Sequence, residues 1–169
     1  MFSRKIMATE NHQNYHIAVK AFIRDGDKLL ICKDAFFEDE SVPEWDLPGG
    51  RINKEEFLIN FEDILKREIN EEIGDIKYKN NGAAVIFRHR RPEQRELKAD
   101  GKPIINILMI GFDLEYLGGD IKISDEHTEY KWLPIEELSD AEKYFKGGWI
   151  DGISKYLEYL KNNKSRIIY

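Results

Sequence analysis

The stretch of sequence that decides the fold runs from residue 45 to residue 76 and reads WDLPGGRINKEEFLINFEDILKREINEEIGDI. Its second half predicts a helix, because apolar side chains recur there at helical spacing. These side chains belong to Phe61, Ile64, Leu65, Ile69 and Ile73. Asn60 is a suitable N-cap and Gly74 a suitable end. The two glycines before the helix, Gly49 and Gly50, allow a tight loop or a close approach of the backbone to a ligand.

Three acidic residues of this helix, Glu68, Glu71 and Glu72, fall on one side of it at about 100° per residue. Neighbouring carboxylates repel one another unless a cation neutralises them or some are protonated. Clustered carboxylate oxygens are the ligands that Mg²⁺ and Mn²⁺ prefer. Taken alone, an acidic run of this kind is more often a solvated helix surface. Its interpretation therefore depends on the residues around it.

The order of residues from Gly50 onward resembles the Nudix box. The usual box is Gly, five residues, Glu, seven residues, then Arg-Glu, an aliphatic residue, any residue, Glu-Glu, any residue, Gly and an aliphatic residue. Gly50 and Glu56 match its first part, and residues 67–74 (REINEEIG) match its second. Residues 45–49 (WDLPG) also resemble the approach to the box.

Two departures from the box are visible. Ten residues separate Glu56 from Arg67. The extra three either lengthen the loop around residues 57–60 or add most of a helical turn, and Glu55 competes with Glu56 for the same role. The final aliphatic position holds Asp75, with Ile76 next, which suggests a small shift where the following strand begins.

The resemblance implies an α/β fold class, an α/β/α sandwich with a mixed sheet in which this loop-helix-loop lies in a cleft. It covers roughly residues 15–163, although only residues 45–76 carry specific motifs. The implied metal ligands are Glu68, Glu71 and Glu72, with Mg²⁺ or Mn²⁺ as the cofactor. Arg67 is implied to orient the acids by salt bridges, with Glu56 as its partner; an ordinary surface pair between Arg67 and Glu71 is the alternative.

The implied reaction is attack of water at phosphorus in a phosphoanhydride. In this family the general base varies between the box and a later loop, so Glu68 is one candidate. Residues 125–132 (DEHTEYKW) resemble that later loop, where we favour Glu126 over Glu129. His127 is a further candidate, since histidine commonly acts as a base near neutral pH, but an ordinary hydrogen-bonded histidine is the alternative.

A basic cluster, residues 88–91 (RHRR), offers substrate contacts in an acidic chain. On a strand Arg88 and Arg90 share one face, and His89 and Arg91 the other. One pair suits a diphosphate, while a charged strand edge that resists aggregation is an equal alternative. The side chains able to stack on a base are Trp45, Phe36, Phe37 and Tyr130, each of which is as well explained by packing. Pro92 resembles, weakly, the downstream proline of ADP-ribose-cleaving members.

The rest of the chain predicts strands around the central helix. Residues 15–23 and 29–32 flank Asp25-Gly26, a pair suited to a hairpin turn. Further strands are predicted at 83–88, 104–114 and 129–133, with a loop at 35–44, a turn at 117–120 and a helical turn at 134–138. The polar residues 90–103 are long enough to form a lid. A last helix carries Trp149, Ile153, Leu157 and Leu160 on one face.

Composition limits the remaining possibilities. With 169 residues, 41% of them apolar, we expect one domain over residues 15–169 behind a flexible tail at 1–14. The net charge of −6 argues against nucleic acid and anionic membranes as partners. No apolar stretch reaches membrane-span length and no export signal is visible, so a cytoplasmic protein is expected. The lone Cys32 excludes an internal disulfide and predicts a small buried side chain.

Together these features predict a metal-dependent pyrophosphohydrolase acting on a small-molecule nucleoside diphosphate derivative: a nucleoside triphosphate, a nucleotide sugar or a compound of the ADP-ribose type. The alternative is a module of the same fold that senses a nucleotide without hydrolysing it; such modules generally lose box carboxylates, which this chain keeps. An isopentenyl-diphosphate isomerase is a poor match, because Cys32 lies in an apolar strand. A homodimer is possible, with Trp149 as a candidate exposed contact.

Overall fold

The computed structural model describes residues 13–35, 45–92, 104–162 and 167–169. Its strands are β1 (His16–Asp25), β2 (Lys28–Asp34), β3 (Trp45–Asp46), β4 (Lys77–Pro92), β5 (Ile104–Gly118) and β6 (His127–Pro134). Its α-helices are α1 (Phe61–Ile73) and α2 (Gly148–Lys161), and shorter 3₁₀ helices span Lys54–Glu56 and Ile135–Lys143.

The strands form a mixed sheet in the order β3-β2-β1-β5-β4, with β6 paired to β2. β1 runs parallel to β5, and the other pairs are antiparallel. The β1-β2 hairpin turns at Gly26, whose φ of +59° lies in the left-handed region that glycine tolerates. The mixed sheet and the hairpin confirm the sequence prediction.

Helices cover both faces of the sheet, because alternate residues of β1 point to opposite sides. Val19, Ala21 and Ile23 pack with the apolar face of α1. Ala18 and Phe22 pack instead with α2. The result is the predicted α/β/α sandwich, in which α1 is fixed across β1 and its acidic side is left to face a loop.

The limits of α1 agree with the prediction, whereas β4, β5, β6 and the second 3₁₀ helix are longer than predicted and α2 packs through additional residues. β4 begins at Lys77, ahead of the predicted residue 83, because its first, polar residues pair with β5 in an irregular register. On α2 the buried face is completed by Tyr156 and Tyr159, while Leu157 and Leu160 are only partly buried.

Trp149 is buried, so the expectation that it offers an exposed contact is wrong, while the homodimer itself stays a prediction. Its side chain is 5% exposed and packs near Phe87 and Phe145, at ring-centroid distances of 5.2 and 6.0 Å. The large apolar ring lies in the interface between α2 and the sheet, where its burial stabilises the fold.

A buried polar network ties α2 to three strands. Asp113 on β5 is fully buried and accepts hydrogen bonds from Arg24 Nε (2.8 Å) and Nη2 (3.1 Å), Asn81 Nδ2 (2.9 Å) and the Tyr156 hydroxyl (2.6 Å). Burial opposes ionisation of Asp113, but these donors together hold the pKa of its carboxyl below the ordinary value. The network therefore stabilises a charged aspartate inside the core.

Several sequence expectations fall outside the described residues: most of the tail (residues 1–12), most of the 35–44 loop with Phe36 and Phe37, and residues 93–103 of the predicted lid. Cys32 is fully buried, as expected, and burial raises the pKa of its thiol. Among the described residues, no helix combines the length and the apolarity that a bilayer-spanning segment needs.

Candidate active site

The loop that contains Gly49 and Gly50, here named the glycine loop, lies along the edge of β1. Val19 N donates to Gly50 O at 3.0 Å, and Ala21 N donates to Pro48 O at 2.8 Å. Gly49 has a φ of +125°, and a Cβ added to it would lie 2.2 Å from Val19 O. Only glycine fits there, because both the backbone conformation and the close contact exclude a side chain.

Two carboxylates of α1 lie against this loop. Glu72 Oε2 accepts a hydrogen bond from Gly49 N at 2.8 Å. The Glu68 carboxyl group covers Gly50 so closely that a Cβ on Gly50 would lie 2.5 Å from its carbon and both oxygens. Glu68 and Glu72 are 9% and 7% exposed. The predicted helix thus places two of the three box acids, Glu68 and Glu72, inside the fold beneath the glycine loop.

Arg67 joins the acids of the site. Its Nε donates to Glu56 Oε1 at 2.7 Å, its Nη2 to Glu68 Oε1 at 2.8 Å and its Nη1 to Glu71 Oε2 at 2.8 Å. Glu56, and not the exposed Glu55, makes this contact. The other oxygen of Glu56 accepts from Asn53 N at 2.8 Å. The hydrogen bond from Arg67 is the main cause that lowers the pKa of Glu56.

Glu71 differs from the other two helix acids. Its side chain is 59% exposed and turned toward Arg67. Among the described residues, no group of three His, Cys, Asp or Glu side chains is arranged to hold a metal ion. The reason lies in the contacts above, since Glu68 and Glu71 are directed to Arg67 while Glu72 is directed to Gly49 N. The three acids share one side of the helix as predicted, but they do not converge on one point.

Negative charge is in excess around Arg67. Its guanidinium contacts Glu56, Glu68 and Glu71, and Glu72 lies beside Glu68. Burial raises the pKa of the Glu68 carboxyl above its ordinary value and the Glu72 charge adds to the rise, while the ion pair with Arg67 opposes both. A cluster of hard carboxylate oxygens with this excess charge has the chemistry of a divalent-cation site.

The later loop meets the box through His127. This side chain is buried, and its Nε2 lies 3.4 Å from Glu72 Oε2. Ser124 N donates to Glu72 O at 2.9 Å, which ties the loop to the end of α1. Glu126 and Glu129 are both exposed. Of the later-loop base candidates, His127 is therefore the one in contact with a box carboxylate, and Glu126 has a side chain open to solvent.

Comparison with known proteins agrees with this geometry. The family model described as NUDIX domain matches residues 14–151. The chain belongs to the NUDIX family. It is accordingly a Nudix hydrolase, an enzyme acting on acid anhydrides in phosphorus-containing compounds.

Individual relatives of this Nudix hydrolase were found by sequence and by structure. The nucleoside triphosphatase NudI of Klebsiella pneumoniae (strain 342) is 28% identical over 121 residues, which are 70% of this chain and 81% of the relative. A MutT protein from Methanosarcina mazei Go1 has a TM-score of 0.66 at 26% identity, covering 90% of this chain and 98% of that one. An ADP-ribose pyrophosphatase from Streptococcus suis 89-1591 shares the fold, with a TM-score of 0.60 at 16% identity over 92% of this chain and 98% of that one.

The arginine pair predicted on β4 projects from the α1 face of the sheet in this Nudix hydrolase. Ile86 pairs with Ile110, which packs in the α1 cluster, and the strand continues regularly to Arg88 and Arg90. Both arginines are exposed, and Arg90 Nε donates to Asn106 Oδ1 at 2.9 Å. His89 lies on the opposite face, its ring 6.3 Å from that of Trp149. The predicted alternation is confirmed, while the role of the arginines in binding remains a prediction.

The proposed base-stacking residues are distributed differently. Trp45 is buried in the α2 cluster with Lys131 Nζ 4.4 Å from its ring centroid, which favours packing over stacking on a base. Tyr130 is exposed on β6, and Pro92 ends β4. Trp45 is therefore better explained as a packing residue of the Nudix hydrolase than as a residue that binds substrate.

The three extra residues of the box lengthen a loop and leave the helix unchanged. A 3₁₀ helix at Lys54–Glu56 precedes the loop, and α1 begins at Phe61. The loop exposes Phe57 and Leu58 to 86% and 89%. At the other departure, the chain leaves α1 through Gly74 (φ +87°), and Ile76 is buried among the residues that pack on α1. Ile76 thus supplies the buried aliphatic side chain that the usual box has at the position of Asp75.

Sequence reasoning missed a buried lysine behind the glycine loop. Lys20 Nζ donates to Leu47 O at 2.9 Å and lies 3.0 Å from Asp46 Oδ1. Its signal was present in residues 17–23 (IAVKAFI), where a lysine interrupts an apolar strand at a position that the neighbouring residues mark as buried. A charge at such a position requires a partner inside the fold.

Proposed function

We propose that this Nudix hydrolase is a divalent-metal-dependent pyrophosphohydrolase. Its substrate is a nucleoside diphosphate linked to another moiety, as in a nucleoside triphosphate, a nucleotide sugar or a compound of the ADP-ribose type. The observation that carries the proposal is the set of carboxylates that Arg67 and the glycine loop hold together. Glu68 and Glu72 remain close despite burial and like charge, an arrangement that costs stability and is explained by a cation-dependent reaction.

The cation would be held by Glu68, Glu71 and Glu72. Glu68 and Glu71 each give one carboxylate oxygen to Arg67, which leaves the second oxygen of each for a metal. Binding requires Glu71 to swing inward, which its exposed side chain permits. A bound Mg²⁺ or Mn²⁺ supplies neutralising charge for the phosphate oxygens and activation of water. Arg67 meanwhile keeps Glu68 from rotating away.

A carboxylate of the chain accepts the proton of the attacking water. Glu68 lies in the box itself, and Glu126 lies on the loop that Ser124 attaches to the end of α1. Loss of the base lowers kcat and removes the acidic limb of the pH profile. Measuring that profile for Glu126→Gln decides between the two, because Glu126 is not a proposed metal ligand. Loss of the limb in this variant identifies Glu126 as the base, and a retained limb favours Glu68.

Arg88 and Arg90 provide the phosphate contacts in this proposal. Both are exposed on the face of the sheet that α1 covers, and guanidinium groups match the geometry of phosphate oxygens. Nucleoside triphosphates are the first substrates to test, because the Klebsiella pneumoniae relative, aligned over 81% of its length, is named a nucleoside triphosphatase.

The experiment is release of phosphate or pyrophosphate from nucleoside triphosphates, ADP-ribose, nucleotide sugars and dinucleoside polyphosphates, each with Mg²⁺, Mn²⁺ or EDTA. Turnover of one class that EDTA abolishes supports the proposal and identifies the substrate. Turnover that persists in EDTA contradicts the metal dependence. Nucleotide binding without turnover in any arm contradicts the hydrolytic proposal and favours the sensing module.

A further inference from the structure

The glycine loop is the continuation of a segment that changes strands. Trp45–Asp46 pairs with β2, where Cys32 is opposite Asp46. From Pro48 onward the backbone instead bonds to β1, and Arg51 forms a bridge with Ala18. Leu47 is therefore the residue at which the chain crosses from one strand to the other. At a crossing point neither sheet ladder fixes the backbone.

Lys20 bonds to the chain at this crossing. Its Nζ donates to Leu47 O and pairs with Asp46, whose Oδ1 also accepts from Leu47 N at 2.6 Å. Both backbone polar groups of Leu47 are thereby engaged by the Lys20-Asp46 pair. The two side chains are 5% and 8% exposed, so these contacts are shielded from water.

The attachments continue residue by residue into the site. Pro48 O is held by Ala21 N, and Gly50 O by Val19 N, the two residues that flank Lys20 on β1. Gly49 N in turn donates to Glu72. A displacement at Leu47 is therefore transmitted directly to the groups that position the acids of the box.

Stability alone does not explain the lysine. An ammonium group is costly to bury, and a buried ion pair is often no more stabilising than apolar side chains of similar volume. Lys20 also touches no surface open to a substrate, because it shares the α2 face of β1 with Ala18 and Phe22, and its Nζ is 5.6 Å from the ring centroid of Trp149. Its hydrogen bonds therefore reach the acids of the box through the loop.

We propose that Lys20 is a positioning residue: by fixing Leu47 and Asp46 at the strand crossing, it holds Gly49 and Gly50 in place against Glu72 and Glu68. The inference rests on the hydrolase activity of the family and not on the identity of the substrate. It also makes a prediction that can be measured without turnover, since Gly49 N donates directly to Glu72.

The test compares Lys20→Met with a matched control, Asp113→Asn, which breaks a different buried charge network on the same sheet. The amide resonances of Gly49 and Gly50 are recorded for the protein alone, the free energy of unfolding is measured in urea, and kcat and KM are measured with a nucleotide that the wild type hydrolyses. In Lys20→Met we expect the Gly49 resonance to move and kcat to fall by about 10- to 100-fold, the effect of a displacement near 1 Å. KM should change far less, because Lys20 does not contact the substrate.

Asp113→Asn should lose stability while keeping its Gly49 resonance and a kcat within about twofold of wild type. If Lys20→Met loses stability but matches this control in the Gly49 resonance and in kcat, the lysine is merely structural and the proposal is overturned. If Lys20→Met does not fold, Asp46→Asn decides, because it removes the charge and keeps the oxygen that accepts from Leu47 N. An unchanged Gly49 resonance and kcat in that variant also overturn the proposal. The resonance does not depend on turnover, so its result stands whichever substrate proves correct.

Discussion

Replacing Gly50 by alanine tests whether the place of the Glu68 carboxylate controls the reaction. The added methyl group would lie 2.5 Å from the carboxyl carbon and both oxygens of Glu68, whereas ordinary contacts of a Cβ begin near 3.4 Å. The backbone at Gly50 does not require glycine, since its φ is outside the left-handed region. The substitution thus acts by steric displacement and not by backbone strain.

The magnitude follows from what must move. The obstructing atoms are the end of a flexible side chain, so Glu68 can retreat by about 1 Å without disturbing the sheet. We expect the free energy of unfolding to fall by less than about 1 kcal/mol, below the usual range for overpacking in a rigid core. A displacement of 1 Å at reacting groups is enough to lower kcat by about 100-fold. Activity should therefore be lost while the fold is kept.

The assay is kcat with the preferred nucleotide, together with urea unfolding of the same preparation. Gly26→Ala is the control, because Gly26 has open space around it and lies in a turn remote from α1. That variant should lose about 1 to 2 kcal/mol from its left-handed backbone and retain activity. A Gly50→Ala enzyme with kcat within twofold of wild type would refute the reasoning, and so would a variant that unfolds.

Three further predictions test the site, the core and the inserted loop. Glu71→Gln and Glu72→Gln should each abolish metal-dependent turnover with the fold intact, because neither side chain packs in the apolar core; wild-type kcat in both would exclude them as ligands. Asp113→Asn should lower the free energy of unfolding by about 3 kcal/mol by leaving Arg24 without its buried partner. Because the folded pKa of Asp113 is lowered, the unfolded chain takes up the proton first. Wild-type stability should thus fall as the pH drops below about 4, with a flatter slope in Asp113→Asn by urea unfolding. Phe57→Ser with Leu58→Ser should change stability by less than about 0.5 kcal/mol in the same assay, since both side chains are exposed; a larger loss would mean that the loop packs against the protein.

Local patterns predicted α1 well, and the resemblance to the Nudix box predicted the Arg67 contacts. The helix carries its own limits in Asn60 and Gly74, and Arg67 meets its partners through positions close in sequence or in the box. The choice of Glu56 over Glu55 required the structure, because it depends on how the 3₁₀ helix before the inserted loop turns.

Features that depend on distant pairing were not predictable in the same way. The first residues of β4 have the polar composition of a loop. They form a strand only because Lys77 pairs with Gly118 on β5. The contact of Tyr156 with Asp113 joins residues 43 positions apart. Lys20 likewise finds Leu47 only after β1 and the glycine loop have come together. In each case the sequence around one residue gives no indication of the residue that it contacts.

In the proposed function, the groups around Arg67 would act through charge and would not contact the moiety attached to the diphosphate, so they cannot select the substrate. Selection must come from side chains outside the box. Arg88 and Arg90, exposed on the α1 face of the sheet, are the proposed phosphate contacts, so they can distinguish substrates only by the number and position of their phosphate groups. Arg67→Ala should therefore lower kcat for every substrate by a similar factor, because it releases Glu68 and Glu71. Arg88→Ala and Arg90→Ala should instead raise KM unequally across the nucleotide panel. A uniform loss of kcat in the β4 variants, with their relative KM values unchanged, would move substrate selection elsewhere in the fold.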